Sequence, residues 1–213
     1  MDKNTSRQKV MGNVRKALMA NPPEKKSDDI DFKENVYKEF TDTKDVVFAE
    51  EFRKVGGEFV YCDSVIDFQK KLKSLFDEKE WEFIFCIDKN VQKLLKEVKI
   101  PFRFKDNFIP KSQVGITRCE YLIARFGSVM VSSKGGSGRR LNAFPDTHIV
   151  MAYSSQVVAD IKDAMEHMKQ KYSTGMPSVI STITGPSRTA DIEKTLVMGA
   201  HGPRELIVFF IDL

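Results

Sequence analysis

Residues 181–213 read STITGPSRTADIEKTLVMGAHGPRELIVFFIDL. The run LIVFFI, residues 206–211, is apolar at every position, so a strand there presents apolar side chains on both faces. Such a strand is expected inside a sheet covered on both sides, because at an open edge it would template aggregation. Ahead of it, the apolar spacing of TADIEKTLVM, residues 189–198, predicts a short helix stopped by Gly199. On that reading GPSRT, residues 185–189, is the tight turn from the strand PSVISTIT (177–184) into the helix.

The same alternation extends outward through the chain. Residues 34–57 read as mostly helix ending at Gly56 and Gly57, EFVYC (58–62) as a strand, and SVIDFQKKLKSLFDEK (64–79) as an amphipathic helix capped by Asp63 or Ser64. EFIFCID (82–88) is a strand and NVQKLLKEV (90–98) a short helix. QVGITR (113–118), SVMVSS (128–133) and HIVMAY (148–153) are further strands, with a helical turn in CEYLIARFG (119–127) and a long helix over VVADIKDAMEHMKQKY (157–172). Strands rich in Val, Ile and Phe alternating with helices predict an α/β fold, a largely parallel sheet with helices on both faces.

The first residues read differently. Val10, Met11, Val14, Leu18 and Met19 recur at helical spacing, whereas NPPEKKSDDID (21–31) is charged, Pro-containing and without period. The expected organisation is an N-terminal helix and tether over 1–44 and an α/β domain over 45–213.

Composition narrows the function classes. Of the 213 residues, 41% are hydrophobic, enough for a sizeable core, and 30% are charged with the signs interspersed, as on solvated helix faces. A net charge of +4 suits a small anionic ligand, but no basic run with interleaved aromatics points to nucleic acid. No apolar stretch has the length of a transmembrane segment, and MDKNTSRQKVMGNVRKALMA lacks the apolar centre of a signal peptide, so a cytoplasmic location is expected. Cys62, Cys86 and Cys119 form no CxxC or Cys/His grouping, so they read as buried reduced thiols, with no metal site and no intrinsic cofactor.

Two polar constellations stand out. In the expected turn, Gly185, Pro186, Ser187, Arg188 and Thr189 would set hydroxyls, a guanidinium and free backbone N–H groups at a helix N-terminus, which suits a carboxylate or phosphate. Equally, Ser187 or Thr189 would cap the helix and Asp191 complement its dipole. At the far end, about 15 Å away for a ten-residue helix, His201 in GAHGPRE is either an acid–base residue or, with Arg204, a partner for the last carbonyls. The second constellation is SSKGGSGRR (132–140), where Gly135, Gly136, Gly138, Lys134, Arg139 and Arg140 suit a phosphate-bearing ligand or a solvated loop. It is not a P-loop, because Arg139 follows Gly138, and not a dinucleotide fingerprint, because Leu141 stands at the third glycine.

ITGPSRTADIEKTLVMGAHGPRELIVFFID, together with RRLNAFPDTHIVMA, CEYLIARFGSVMVSS and the opening SRQKVMGNVRKAL, resembles the lactate-utilisation protein C family of LUD-domain proteins. The resemblance spans nearly the whole chain, and the pairing of GPSRTADIE with a following GxHGP is its most specific part. It implies a fold related to the sugar-phosphate isomerase and coenzyme A transferase group. It also implies a role in oxidising L-lactate to pyruvate as a subunit or accessory of iron–sulfur partner proteins, which carry the clusters. By position, Gly185 to Asp191 match the family's first motif and His201, Gly202 and Pro203 its second, while Leu141, Pro145 and His148 match the segment before a central strand. Many relatives carry a threonine–glycine pair where this chain has Phe126 and Gly127. Three classes of function follow: an accessory subunit of a lactate-oxidising assembly, a small-molecule enzyme using His201, or a sensor of an organic acid or phosphorylated metabolite.

Overall fold

The computed structural model describes residues 10–13, 15, 16, 19, 39–105, 113–135, 140–192, 195–198 and 202–213. The chain divides into two units, Met1–Glu39 and Phe40–Leu213. In the first, residues 10–13, 15, 16 and 19 are helical.

The second unit runs α1 (Lys44–Lys54), β1 (Glu58–Cys62), α2 (Val65–Glu78), β2 (Ile84–Phe85), α3 (Lys89–Glu97), β3 (Phe102–Arg103) and β4 (Val114–Arg118). Ser64 starts α2 by accepting the Asp67 N–H, and Asp88 starts α3 by accepting from Asn90 and Val91, which satisfies donors that have no partner within the helix. The chain continues through β5 (Tyr121–Ile123), a 3-10 turn (Ala124–Phe126), β6 (Ser128–Ser132), β7 (Thr147–Tyr153), a second 3-10 turn (Ser154–Gln156), β8 (Val157–Val158), α4 (Ile161–Lys171) and β9 (Ile180–Ile183). A hairpin of β10 (Arg188–Ile192) and β11 (Thr195–Met198) precedes β12 (Glu205–Ile211).

Six strands form a parallel sheet in the order β1-β12-β7-β4-β2-β3. The all-apolar strand is therefore flanked on both sides, as its sequence requires. Alternation along it divides the core. Ile207, Phe209 and Ile211 join Ile149 and Met151 beneath Phe68 and Leu72 of α2 and Val91 and Leu95 of α3. Leu206, Val208 and Phe210 face the other way, with Val150 and Ala152, against Phe48 and Phe52 of α1 and Leu122, Val129 and Val131 of β5 and β6.

That second face corrects an expectation. Helices on both sides of one sheet are not what covers it; α1 shares the task with a second, mixed sheet of order β8-β5-β6-β9. The far side of this second sheet packs on α4 through Ile123, Met130, Ala164 and Met168. An apolar strand reports that both its faces are covered, not by what. Two local readings change for the same reason: CEYLIARFG holds β5 and a 3-10 turn, and Val157–Val158 form β8, so the last long helix begins only at Ile161.

The larger correction concerns residues 189–198. Residues 189–192 and 195–198 are not helical but lie in the two strands of an antiparallel hairpin, with Arg188 opposite Met198 and Thr189 opposite Val197. Thr189, Ile192, Thr195 and Val197 are β-branched and stiff at χ1, which favours a pleated surface over a helix. Over so short a run, apolar spacing alone did not separate the two periods.

All three cysteines are buried, and burial pushes their thiols up, Cys62 to about 11 and Cys86 and Cys119 to about 12. They are expected to ignore a thiol reagent at pH 8 in the native protein and to react together once urea unfolds it. Rapid labelling of any of them under native conditions would contradict this packing.

Candidate functional site

The GPS turn is seated on the end of α1. Gly185 has φ 76°, and a Cβ there would stand 2.3 Å from the Val55 carbonyl oxygen, so only glycine lets the chain pass so close. Arg188 fixes the same contact, its guanidinium donating to the Val55 carbonyl at 2.9 Å. On the other side the Ser187 N–H donates to the Pro203 carbonyl at 2.8 Å. The two motifs expected about 15 Å apart at opposite helix ends are thus in direct contact, because the hairpin returns the chain to where it left. Among the described residues, no helix N-terminus lies behind the turn; β10 follows it.

A third segment joins them. The N–H groups of Arg204 and Glu205 donate to the Asp146 carbonyl at 2.7 and 3.1 Å, drawing the connection from β6 to β7 against the start of β12. Between the three segments lies a cavity of about 220 Å³. Asn142 and Ala143 form one wall, Gly185, Pro186 and Ser187 a second, Gly202 and Pro203 a third, with Ile183 and Leu206 completing it. The lining is largely apolar. Asn142 and Ser187 supply its polar side chains, and no charged side chain lines it among the described residues. Its place is also unexpected: it sits at the amino ends of β7 and β12 and the carboxyl end of β9, not at the carboxyl ends of the parallel strands where clefts of open α/β sheets usually form.

Of the residues singled out from the sequence, Gly185, Pro186 and Ser187 line this cavity. Arg188 is exposed and turned to Val55 instead. Thr189 and Asp191 are in β10. His201, Gly136, Gly138 and Arg139 lie outside the described residues. Phe126 packs on the cluster of Ile123, Met130 and α4 residues, not in the cavity lining.

Three polar residues that the sequence reading did not single out as site residues matter here. Asn142 Oδ1 and His148 Nδ1 are buried side-chain atoms with no hydrogen-bond partner among the described residues. His148 is fully buried, its Nε2 stands 2.9 Å from the Thr117 hydroxyl, and burial lowers it from 6.5 to about 4, which keeps the ring neutral. Glu120 is the third, with its side chain 1% exposed. It accepts from Lys171 at 2.7 Å, from the Tyr172 hydroxyl at 2.8 Å and from Ser132. Burial would raise its carboxyl, but these donors outweigh that and hold it below the ordinary value. Ser132 in turn accepts from the N–H groups of Lys134 and Gly135, anchoring the start of the glycine-rich segment. A carboxylate inside the otherwise apolar CEYLIA was the available signal.

Among the described residues, no group of three or more His, Cys, Asp or Glu side chains is placed to hold a metal ion, and no helix is long and apolar enough to cross a membrane.

The LUD domain family model matches residues 46–211, a span that contains every residue lining the cavity. Lactate utilization protein C of Shouchella clausii is 37% identical over 102 residues, 47% of this chain and 44% of that protein. Its counterpart in Bacillus subtilis is 39% identical over 95 residues, 44% of this chain and 40% of that protein. An uncharacterized protein of Neisseria meningitidis is 34% identical over 124 residues, 58% of this chain and 52% of that protein. The matched stretch is thus about half the length of these curated relatives or less. In fold, the chain is similar to the crystal structure of a DUF162 family protein from Deinococcus radiodurans, with TM-score 0.60 and 16% identity over 79% of this chain and 98% of that one.

Proposed function

Since the chain belongs to the LUD domain family, we propose that it acts in L-lactate utilisation, the oxidation of lactate to pyruvate, as a cytoplasmic subunit or accessory of an iron–sulfur partner assembly. The observation that carries this reading is the family match over 46–211, which encloses all three segments that build the cavity. The relatives named lactate utilization protein C supply the pathway. The clusters are assigned to partner proteins because, among the described residues, no group of three or more His, Cys, Asp or Glu side chains is placed to hold one. The kinship with the sugar-phosphate isomerase and coenzyme A transferase group belongs to the same proposal, supported by the parallel six-stranded sheet.

Deleting the gene is expected to abolish growth on L-lactate while leaving growth on pyruvate unchanged, and a tagged chain is expected to co-purify with iron–sulfur proteins. Undiminished growth on L-lactate would overturn the reading.

The cavity favours a second reading, in which the chain itself binds an organic acid or phosphorylated metabolite at the turn, as an enzyme or a sensor. Gly185, Pro186 and Ser187 then hold the ligand, with Arg188, Thr189, Asp191, Gly136, Gly138 and Arg139 as the proposed anion set and His201 as the proposed acid or base. Turnover lost in His201→Ala with binding retained would mark an enzyme. Binding without product in the unaltered chain would mark a sensor.

A further inference from the structure

The parallel sheet switches direction between β2 and β4. The two strands are neighbours, yet the chain leaves β2 toward β3 on one side and leaves β4 toward β7 on the other. The connections also lie on opposite faces, since α3 packs on one side of the sheet and β5 and β6 on the other. The carboxyl ends of two strands related in this way are where open α/β sheets usually bind their ligands. The cavity, at the amino ends of β7 and β12, leaves this position unused.

Asp88 and Arg118 meet there, each three residues past the paired Phe85 and Gly115. Asp88 is 5% exposed; one of its oxygens caps α3 through Asn90 and Val91, and the other accepts from Arg118 Nε at 2.6 Å. The carboxylate thus spends both oxygens inside the protein. Arg118 does not spend its donors. A guanidinium carries five N–H groups in a rigid fork, and Asp88 takes the one on Nε. Nη1 and Nη2 make no hydrogen bond among the described residues, and the side chain is 40% exposed. The edge left over, with its two parallel N–H groups, is one that grips a carboxylate bidentately. Because Asp88 already holds the guanidinium in place, little freedom remains to be lost when a ligand arrives.

Formal charge narrows the anion. At the ends of β2 and β4, Asp88 offsets Arg118 and Glu120 is paired with Lys171, while Lys89, exposed at the start of α3, adds a further positive charge. A monoanion matches that balance, and a phosphate dianion or a polyphosphate exceeds it. We propose that Arg118, oriented by Asp88, binds the carboxylate of a small organic acid at the carboxyl end of β4. The site goes beyond the readings above, because it needs neither the GPS turn nor a partner protein.

The test is calorimetric titration of the full chain with L-lactate and pyruvate, with L-lactamide as the uncharged counterpart and inorganic phosphate as the competing anion. At least one of the two acids is expected to saturate the protein, with L-lactamide weaker by roughly tenfold or more and phosphate no tighter than the acid. Arg118→Lys keeps a cation for Asp88 but loses the fork. Its melting temperature is expected to hold while acid binding falls by roughly tenfold or more. A purely structural ion pair predicts no such loss. ¹⁵N NMR of the arginine side chains reads the contact in the unaltered protein: the signals that vanish in Arg118→Lys should shift with the acid and not with L-lactamide. No saturable binding of either acid, equal binding of L-lactamide, tighter binding of phosphate, or affinity that survives Arg118→Lys would each overturn the proposal. Affinity lost in Arg188→Ala but kept in Arg118→Lys would place the anion at the GPS turn instead. A growth defect on L-lactate without Arg118-dependent binding would remove this inference and leave the pathway reading standing. Arg118-dependent binding with undiminished growth would do the reverse.

Discussion

Lowering the pH from 6.5 to about 4 is expected to cost the folded protein about 3 kcal/mol through His148 alone. The ring is fully buried, and its one cause of shift is burial, which lowers it from 6.5 to about 4. Above pH 6.5 the imidazole is neutral in both folded and unfolded chains, so the contribution is fully present. As the pH falls below 6.5 the unfolded chain takes up a proton that the folded chain refuses, and stability drops until the folded ring also titrates near 4. The buried carboxylate Glu120 acts in a lower window. Its folded value lies below 4.5, so its contribution is present above 4.5 and fades as the pH drops through the folded value. Urea unfolding at pH 7, 6, 5 and 4.5 therefore reads the histidine first. In His148→Gln, which keeps a neutral hydrogen-bonding side chain while His167 and His201 are untouched, the slope between pH 6.5 and 5 should flatten. A parent protein whose stability is already flat over that interval would show that the folded protein protonates His148.

How much of this was legible in the sequence differs from element to element. The six apolar residues 206–211 implied an inner strand, and β12 between β1 and β7 is that strand. Caps were legible too, because Ser64 acts through its own hydroxyl on an N–H three residues away. What failed was any inference that needed the partner of a segment. TADIEKTLVM satisfies a helical spacing, yet its pairing across a hairpin is set by β-branched residues and tertiary context. With the helix went the helix N-terminus expected behind the GPS turn, and the hairpin brings Ser187 and Pro203 into direct contact, closer than two ends of a helix allow. Asn142 and His148 were illegible as a pair because what distinguishes them is that Asn142 Oδ1 and His148 Nδ1 have no hydrogen-bond partner among the described residues, which no spacing in the chain records.

Gly127→Ala is expected to remove more than ~3 kcal/mol of stability, through a clash more than through backbone conformation. Gly127 has φ 55° and ψ 43°, the left-handed region, which costs an alanine about 1 kcal/mol. The larger effect is steric. A Cβ there would stand 2.2 Å from the Phe52 nitrogen and 2.4 Å from the Glu51 carbonyl carbon, main-chain atoms of α1 that no rotamer change can move. The helix must shift, and with it Phe48 and Phe52, which are fully buried, stack at 5.3 Å and fill the layer between the two sheets. The same helix leads into Val55, whose carbonyl receives Arg188 and lies against Gly185. A displaced α1 therefore carries the GPS wall of the cavity with it, so ligand affinity should fall along with stability. For a domain of this size the melting temperature is expected to drop by roughly 6–12 °C. Gly127→Asn separates the two causes, because asparagine tolerates the left-handed region better than alanine but carries the same Cβ. If the clash dominates, Asn melts no higher than Ala; an Asn variant restored to near the parent melting temperature would assign the glycine to backbone conformation and show that α1 yields to a methyl group at little cost.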